Sequence, residues 1–381
     1  MLEKIYIKNI CSISETELSF IKGNYQYRSD NVLGNLVNPI AIYGHNGSGK
    51  TSFLEAIREF ILIMFIPPSN LGPFVVNNIS FERYVKDRSL KKNIEGTIKL
   101  YFSIKDKKYE YGLTISRING IVEEYLKDEN YIFNRTQLNY LYKGKNYELT
   151  KNDLLISTLR SLASSEVNDS DIQNVYKFFT SFVHLNLQNI NLGGYATSSL
   201  FSNSKNIFNL LVEKSDEVKQ TLKDYKDFPI YSIKKIDTLN PLENSLSNYL
   251  VQLEDEDNFK VELPFNMIST GMRNNSILLS ILFSIPQHSV LFIDELELAL
   301  HPSAIESFLN VVKKKKIQLV FSSHNTNILT YLRPDQIYFS KWKKGFSKLL
   351  RLSDIYPNIR EVNNIEKMYL NSSIDDAINN E

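Results

Sequence analysis

Residues 2–10 and 16–21 alternate apolar and polar side chains. That period of two predicts an antiparallel strand pair at the start of the chain. The short apolar run Pro39-Ile-Ala-Ile-Tyr43 predicts a buried strand, and a helix-compatible stretch follows from Ser52 to Ile57. Residues 60–66 are the most apolar run; it is too short to span a bilayer, ends in Pro67-Pro68, and reads as the buried end of that helix. A loop-like stretch to residue 93 precedes a β-meander over 96–149, with Asn119-Gly120 as a tight-turn signal. From 151 to 227 the periodicity turns helical, and Asp171–Phe179 is spaced for one apolar face. Asn191–Ser199 reads as a loop within it, and strand-like segments resume near 230–237 and 259–263. Two late apolar runs, Ser289–Ile293 and Leu319–Phe321, have the continuous character of strands buried on both faces. There is no internal repeat and no heptad run long enough for a coiled coil.

The chemistry begins where the strand at Tyr43 ends. Gly44-His45-Asn46-Gly47-Ser48-Gly49-Lys50-Thr51 fits G-x-x-x-x-G-K-[ST] between a strand and a helix, the setting in which that string is meaningful. Glycines there let backbone N–H groups converge on a polyphosphate, and the helix N-terminus adds partial positive charge. Lys50 is expected to reach the β- and γ-phosphates of ATP, and the Thr51 hydroxyl to ligate Mg²⁺. The run ending in Asp294-Glu295 supplies two carboxylates at the carboxyl end of a strand, where α/β sheets place ligands. Asp294 is expected to hold Mg²⁺ and Glu295 to polarise the attacking water.

Two further elements stand in order around that run. Ser269-Thr270-Gly271 lies 25 residues before Asp294, and His324 lies 30 residues after it, again at a strand end. Alone, the first is an ordinary helix cap and the second an ordinary histidine. Together with the phosphate loop and the acidic pair, they resemble the ABC-class ATPases. That resemblance implies an S-x-G signature facing the γ-phosphate held by a partner subunit, and a switch histidine contacting the same phosphate. The implied fold is α/β: an ABC-type ATPase head with a mixed central sheet, helices and an antiparallel β subdomain, plus a helical insertion.

Within that class, Gly44 to Ile57 is similar to the loop of RecF-like proteins, but Asp294-Glu-Leu-Glu-Leu-Ala-Leu-His301-Pro302 resembles the "DE-x-E-x-x-LHP" pattern of OLD-family ATPases and their RloA-like relatives. The tail supports this group: Leu332–Phe339, Leu349–Asp354, Arg360 and Glu366–Leu370 resemble its RloA/AbiL-type order. The implied function is an ATP-hydrolysing homodimer acting as a switch in bacterial anti-phage, abortive-infection defence with a separately encoded effector. Nucleic acid is left open as a partner. A RecF-like DNA-repair ATPase and a non-hydrolysing scaffold are the rival readings. The sequence departs from the group at Cys11, where a basic residue is common, and after Tyr369, where a glycine-rich ending is replaced by Leu-Asn-Ser-Ser. No nuclease domain is expected, since the sequence stops at Glu381.

The expected division is 1–95 for the first half of the ATPase core, 96–150 for the meander, 151–258 for a mainly helical insertion and 259–381 for the second half of the core. A net charge of +1 excludes a global field toward nucleic acid or anionic membrane, though not a local basic patch. Aromatic content of 12% argues for an ordered globular chain. A single cysteine excludes an intrachain disulfide and fits a reducing compartment, so a cytoplasmic protein is expected. Among secondary candidates, Glu297 could be a second acidic group near the metal and Lys313–Lys316 could touch phosphates, but a solvated carboxylate and a solvated helix end are the favoured readings. His301 is as readily a helix-entry residue as a nucleotide contact. Gln137 and Gln188 are candidates for the glutamine that this class places near the metal. Tyr25 and Tyr27 are weak candidates for the adenine.

Overall fold

The computed structural model describes residues 1–65, 95–116, 119–165, 169–187, 196–197, 212, 216, 230–235, 249–254, 259–300, 302–360 and 363–371. The alternating N-terminal segment folds as the hairpin β1 (Leu2–Ile10) and β2 (Ile13–Ser19). A short hairpin, β3 (Val32–Leu33) and β4 (Leu36–Val37), precedes β5 (Ile40–Tyr43). After β5 the chain enters helix α1 (Lys50–Phe65), whose buried face runs from Phe53 to Met64.

The meander follows as β6 (Glu95–Ile104), β7 (Lys107–Ser116), β8 (Gly120–Lys127), β9 (Tyr131–Thr136), β10 (Asn139–Tyr142) and β11 (Lys145–Glu148). It continues the main sheet, because β6 pairs antiparallel with β1. Helices α2 (Thr158–Ser164) and α3 (Ser170–Thr180) then lead to β12 (Phe182–Asn186) and the two-residue β13 (Ala196–Thr197). Residues 230–264 contribute a separate antiparallel sheet of β14 (Ile230–Lys235), β15 (Tyr249–Glu254) and β16 (Lys260–Pro264).

The last third of the described chain holds α4 (Thr270–Ser284), β17 (Val290–Asp294), α5 (Pro302–Lys314), β18 (Gln318–Ser322), β19 (Ile337–Lys343), β20 (Phe346–Arg351), α6 (Leu352–Ile355) and α7 (Ile365–Leu370). Fifteen strands among the described residues form one mixed sheet. Its order is β11-β10-β9-β8-β7-β6-β1-β2-β20-β19-β5-β18-β17-β12-β13. The stretch β19-β5-β18-β17-β12 is parallel. Its strands are the apolar runs of the sequence, buried on both faces: Ile40, Ile42, Val290 and Phe292 pack on the side of α1, while Ala41, Tyr43, Leu291 and Ile293 pack on the side of α4 and α5.

The fold is therefore mixed α/β, with helices on both faces of a large sheet. The stretch 151–258, read from periodicity as mainly helical, departs from that reading at β12. This strand is central: it runs parallel to β17 with Asn186 in register with Asp294. Phe-Val-His-Leu-Asn follows an amphipathic helix without a glycine or proline between them, so helical periodicity hides it. The lysine run 313–316 is a helix end, but not a wholly solvated one. Lys313 pairs with Asp30, and Lys315 Nζ donates to the carbonyls of Leu282, Phe283 and Ile285 at 2.6, 2.9 and 3.1 Å. That places a cation on the unsatisfied carbonyls at the end of α4, an arrangement worth about 0.3–1 kcal/mol.

Candidate nucleotide site

The parallel strands β5, β18 and β17 all end on one edge of the sheet, and the loops leaving them carry Gly44–Thr51, His324 and Asp294-Glu295. Gly44, Gly47 and Gly49 have φ of 145°, 76° and 108°, conformations that side-chain-bearing residues rarely adopt. Space as well as angle demands glycine at two of them. A Cβ on Gly44 would stand 2.6 Å from the Ser340 carbonyl oxygen, and one on Gly49 would stand 2.2 Å from Ser347 Oγ. A Cβ on Gly47 would meet nothing within 4 Å, as suits the exposed crest of a phosphate cradle. Ser340 Oγ donates to the Ser48 carbonyl at 2.8 Å, locking the loop onto β19.

Lys50 is buried, and its Nζ donates to the carbonyls of Gly44 at 2.8 Å and His45 at 3.2 Å. Burial pulls its pKa down, while the fields of Asp294, Glu297 and Glu295 oppose that shift. The lysine and the strand-end carboxylates therefore share one site. Burial raises the pKa of Asp294, opposed by the neighbouring hydroxyls of Ser322, which donates to its Oδ1 at 2.5 Å, and Thr51. A hydroxyl and a buried carboxylate are hard oxygen donors, the set that Mg²⁺ takes when phosphates and water complete its shell. No cluster of three or more His, Cys, Asp or Glu side chains suited to a metal occurs among the described residues.

Glu295 sits in the left-handed region at φ 55°, ψ 62°, between the strand and a short 3-10 turn at Leu296–Leu298. For a residue with a Cβ this conformation is strained, and such strain clusters at functional sites. Its N–H is anchored on Ser322 Oγ at 2.8 Å, and that hydroxyl in turn donates to Asp294 Oδ1 at 2.5 Å. One side chain thus fixes both members of the acidic pair.

His324 is brought to the same edge. Its side chain is exposed, and its backbone N–H donates to Glu297 Oε1 at 2.8 Å. Glu297 is consequently not a solvated carboxylate. The 3-10 turn folds it back toward Lys50, and its Oε2 is buried without a hydrogen-bond partner. Tyr43, fully buried, donates its hydroxyl to the Asn325 carbonyl at 2.9 Å, and its ring meets Tyr369 of α7 at 5.9 Å. The C-terminal motif therefore braces the strand that feeds the phosphate loop.

Ser269, Thr270 and Gly271 are exposed at the start of α4. Ser269 caps the helix by accepting from the Met272 N–H at 3.3 Å, and a Cβ on Gly271 would meet nothing within 4 Å. Asn274, one turn on, donates to the Leu298 carbonyl at 2.9 Å and so ties α4 to the turn after Glu295.

Other candidates lie elsewhere. Gln137 occupies the turn between β9 and β10, eight strands from β5 in the sheet order, which removes it from the site. Gln188 and His301 lie outside the described residues. Tyr25 stacks with the Arg333 guanidinium at 5.8 Å, and Arg333 Nη1 reaches the Tyr27 carbonyl. These groups surround the amino-terminal end of β19, the opposite edge from the phosphate loop, so neither tyrosine is placed to meet a base. Cys11 is partly buried, and burial, reinforced by Glu59 and Glu55, pushes its thiol up to about 12. It stays neutral and does not replace a basic phosphate contact.

Two groups escaped the sequence reading. One is Ser322, whose neighbourhood depends on the register of β17 and β18. The other is a hydroxyl cluster under Gly49, where Ser12 Oγ donates to Ser52 Oγ at 2.8 Å and lies 2.9 Å from Ser347 Oγ. A serine after an Asn-Ile-Cys turn carries no signal of its own.

Among solved structures, the chain is similar to the SMC head domain from Thermotoga maritima, with 13% identity, a TM-score of 0.45, and coverage of 92% of this chain and 98% of that one. It is likewise similar to an SmcHead bound to the C-winged helix domain of ScpA, with 15% identity, a TM-score of 0.46, and coverage of 92% and 96%. A third is an Smc head domain with an extended coiled coil, bound to the C-terminal domain of ScpA derived from Pyrococcus furiosus. There the identity is 11%, the TM-score 0.45 and the coverage 92% and 95%. No curated protein matches the sequence. Residues 40–330 match the family described as "AAA domain, putative AbiEii toxin, Type IV TA system", a match that spans most of the chain and both halves of the site, and the chain belongs to that AAA-domain family.

Proposed function

We propose that the chain binds Mg²⁺·ATP between the phosphate loop and Asp294 and hydrolyses it in a site that Ser269 of a second copy completes. The observation carrying this reading is the single hydroxyl of Ser322 that fixes both Asp294 and Glu295 beside Lys50 and Thr51. In this reading Lys50 and the loop amides bind and orient the triphosphate. Asp294 and Thr51 would hold Mg²⁺, which when bound neutralises charge on the phosphates. Glu295, aimed by its strained backbone, accepts a proton from the attacking water. Glu297 holds the His324 backbone, which keeps the imidazole at the strand end as a donor to the γ-phosphate.

The exposure of Ser269–Gly271 supports the two-copy arrangement. A hydroxyl, an open glycine and a helix N-terminus offer an anion site that the chain's own helix turn does not cover. Closure on ATP and release on hydrolysis would make the protein a switch. The family description names a toxin of a type IV toxin–antitoxin system, a two-component arrangement. This supports an abortive-infection role with a separately encoded partner and, with the Asp294–Pro302 and tail motifs, placement near the OLD and RloA-like ATPases.

Complementation tests the composite site. Lys50→Ala alone and Ser269→Arg alone should each lack ATP turnover. Mixing them should restore it, because heterodimers then contain one intact loop facing one intact signature. Turnover in Ser269→Arg alone, or none from the mixture once heterodimers form, would sink the proposal.

A further inference from the structure

The geometry points to Trp342 as the stacking platform for the nucleobase of the bound nucleotide, an assignment that rests on the nucleotide-site reading above. The strand order β20-β19-β5-β18-β17 puts the two ends of the site on opposite sides of the phosphate loop. Asp294 and Glu295 lie two strands from β5 on one side, and β20 lies two strands away on the other, about 10 Å in each direction. A triphosphate whose terminal phosphate faces Asp294 therefore runs back toward β19 and β20, and the base follows.

The β19–β20 hairpin is already packed on the loop. Ser340 Oγ holds the Ser48 carbonyl, and Ser347 occupies the space that a Cβ on Gly49 would need. Trp342 is two residues after Ser340, so the two side chains share a face of β19. It is also directly opposite Ser347 in the hairpin register, which again puts its ring on the loop side of the sheet. Farther back on that face Tyr338 and Leu349 are buried, whereas Trp342, the only tryptophan in the sequence, is 43% exposed. Ser52, the residue after the metal-binding threonine, joins the same cluster through Ser12, so the loop end of α1 and the hairpin form one wall. A large aromatic held at the open end of that wall offers a flat apolar surface where a base emerges from the cradle. Stacking of this kind tolerates any purine, and selectivity for adenine would have to come from other groups.

The lone tryptophan makes the test direct. The full chain is titrated with Mg·ATP, Mg·GTP and Mg·tripolyphosphate while Trp342 emission is followed and binding is measured in parallel by calorimetry. Both nucleotides should change the emission with saturation matching the calorimetric curve, and tripolyphosphate should bind without that change. Trp342→Ala should weaken ATP roughly tenfold and leave tripolyphosphate affinity unaltered, with Trp342→Phe retaining most of the ATP affinity. Calorimetric ATP binding with silent emission, or equal losses for ATP and tripolyphosphate in Trp342→Ala, would overturn the platform alone. No binding of either ligand to wild-type chain would overturn the nucleotide-site reading and this inference with it.

Discussion

Ser322 Oγ donates a 2.5 Å hydrogen bond to Asp294 Oδ1 and with the same oxygen accepts the Glu295 N–H at 2.8 Å. A hydroxyl can do both at once. It holds the Asp294 carboxylate in place and pins the strained backbone that presents Glu295. Ser322→Ala should therefore lower ATP turnover about 10- to 100-fold, the usual penalty for losing a partner of a metal ligand, with a smaller loss of nucleotide affinity. Steady-state turnover beside calorimetric affinity separates the two. Unchanged turnover would mean that Glu295 keeps its geometry without the serine.

Asp294 carries a second consequence through its raised pKa. The folded chain holds this proton more tightly than an unfolded chain, so the group favours folding at low pH. Its contribution is lost as pH rises through the raised value. Cation binding needs the ionised form and should fail, as pH falls, earlier than an ordinary aspartate would allow. Asp294→Asn removes the buried charge. Without Mg²⁺ at pH 7 its Tm should match or exceed wild type, by on the order of 2 °C. Its Mg²⁺-dependent nucleotide affinity should drop about tenfold or more. A variant both less stable and still Mg²⁺-dependent would contradict this assignment.

Gly49→Ala meets two separate obstacles. The backbone stands at φ 108°, and the new methyl would lie 2.2 Å from Ser347 Oγ and 2.4 Å from its Cβ. The strain alone costs about 1–3 kcal/mol, measurable by chemical denaturation. Adding Ser347→Gly relieves the collision and not the torsion, so the double variant should recover only part of the loss. Full recovery would show that crowding is the whole effect.

Much of the site could be read from the chain because its parts are local. The apolar run into Gly44, the loop and the helix after Thr51 are contiguous, and the acidic pair Asp294-Glu295 closes a single apolar run. The residues that were hidden act across strands. Ser322 matters only because β17 and β18 pair in parallel with Ile293 beside Phe321, which brings the next residues, Asp294 and Ser322, together. Glu297 looked solvated until the 3-10 turn returned it to Lys50, and β12 was masked by the amphipathic helix that runs into it. Tyr25 and Tyr27 precede the loop in sequence, yet they pack with Arg333 at the other edge of the sheet. Proximity along the chain is a poor guide where a sheet separates its two edges.

The most direct test of the switch is Glu295→Gln, which keeps the size and backbone of the residue and removes its proton-accepting charge. With Mg·ATP, wild-type chain should hydrolyse ATP and cycle through a transient dimer. The variant should bind ATP with similar affinity, turn it over at least about 100-fold more slowly, and accumulate as an ATP-bound dimer by light scattering. Wild-type turnover in Glu295→Gln, or a variant that stays monomeric while saturated with ATP, would contradict the account.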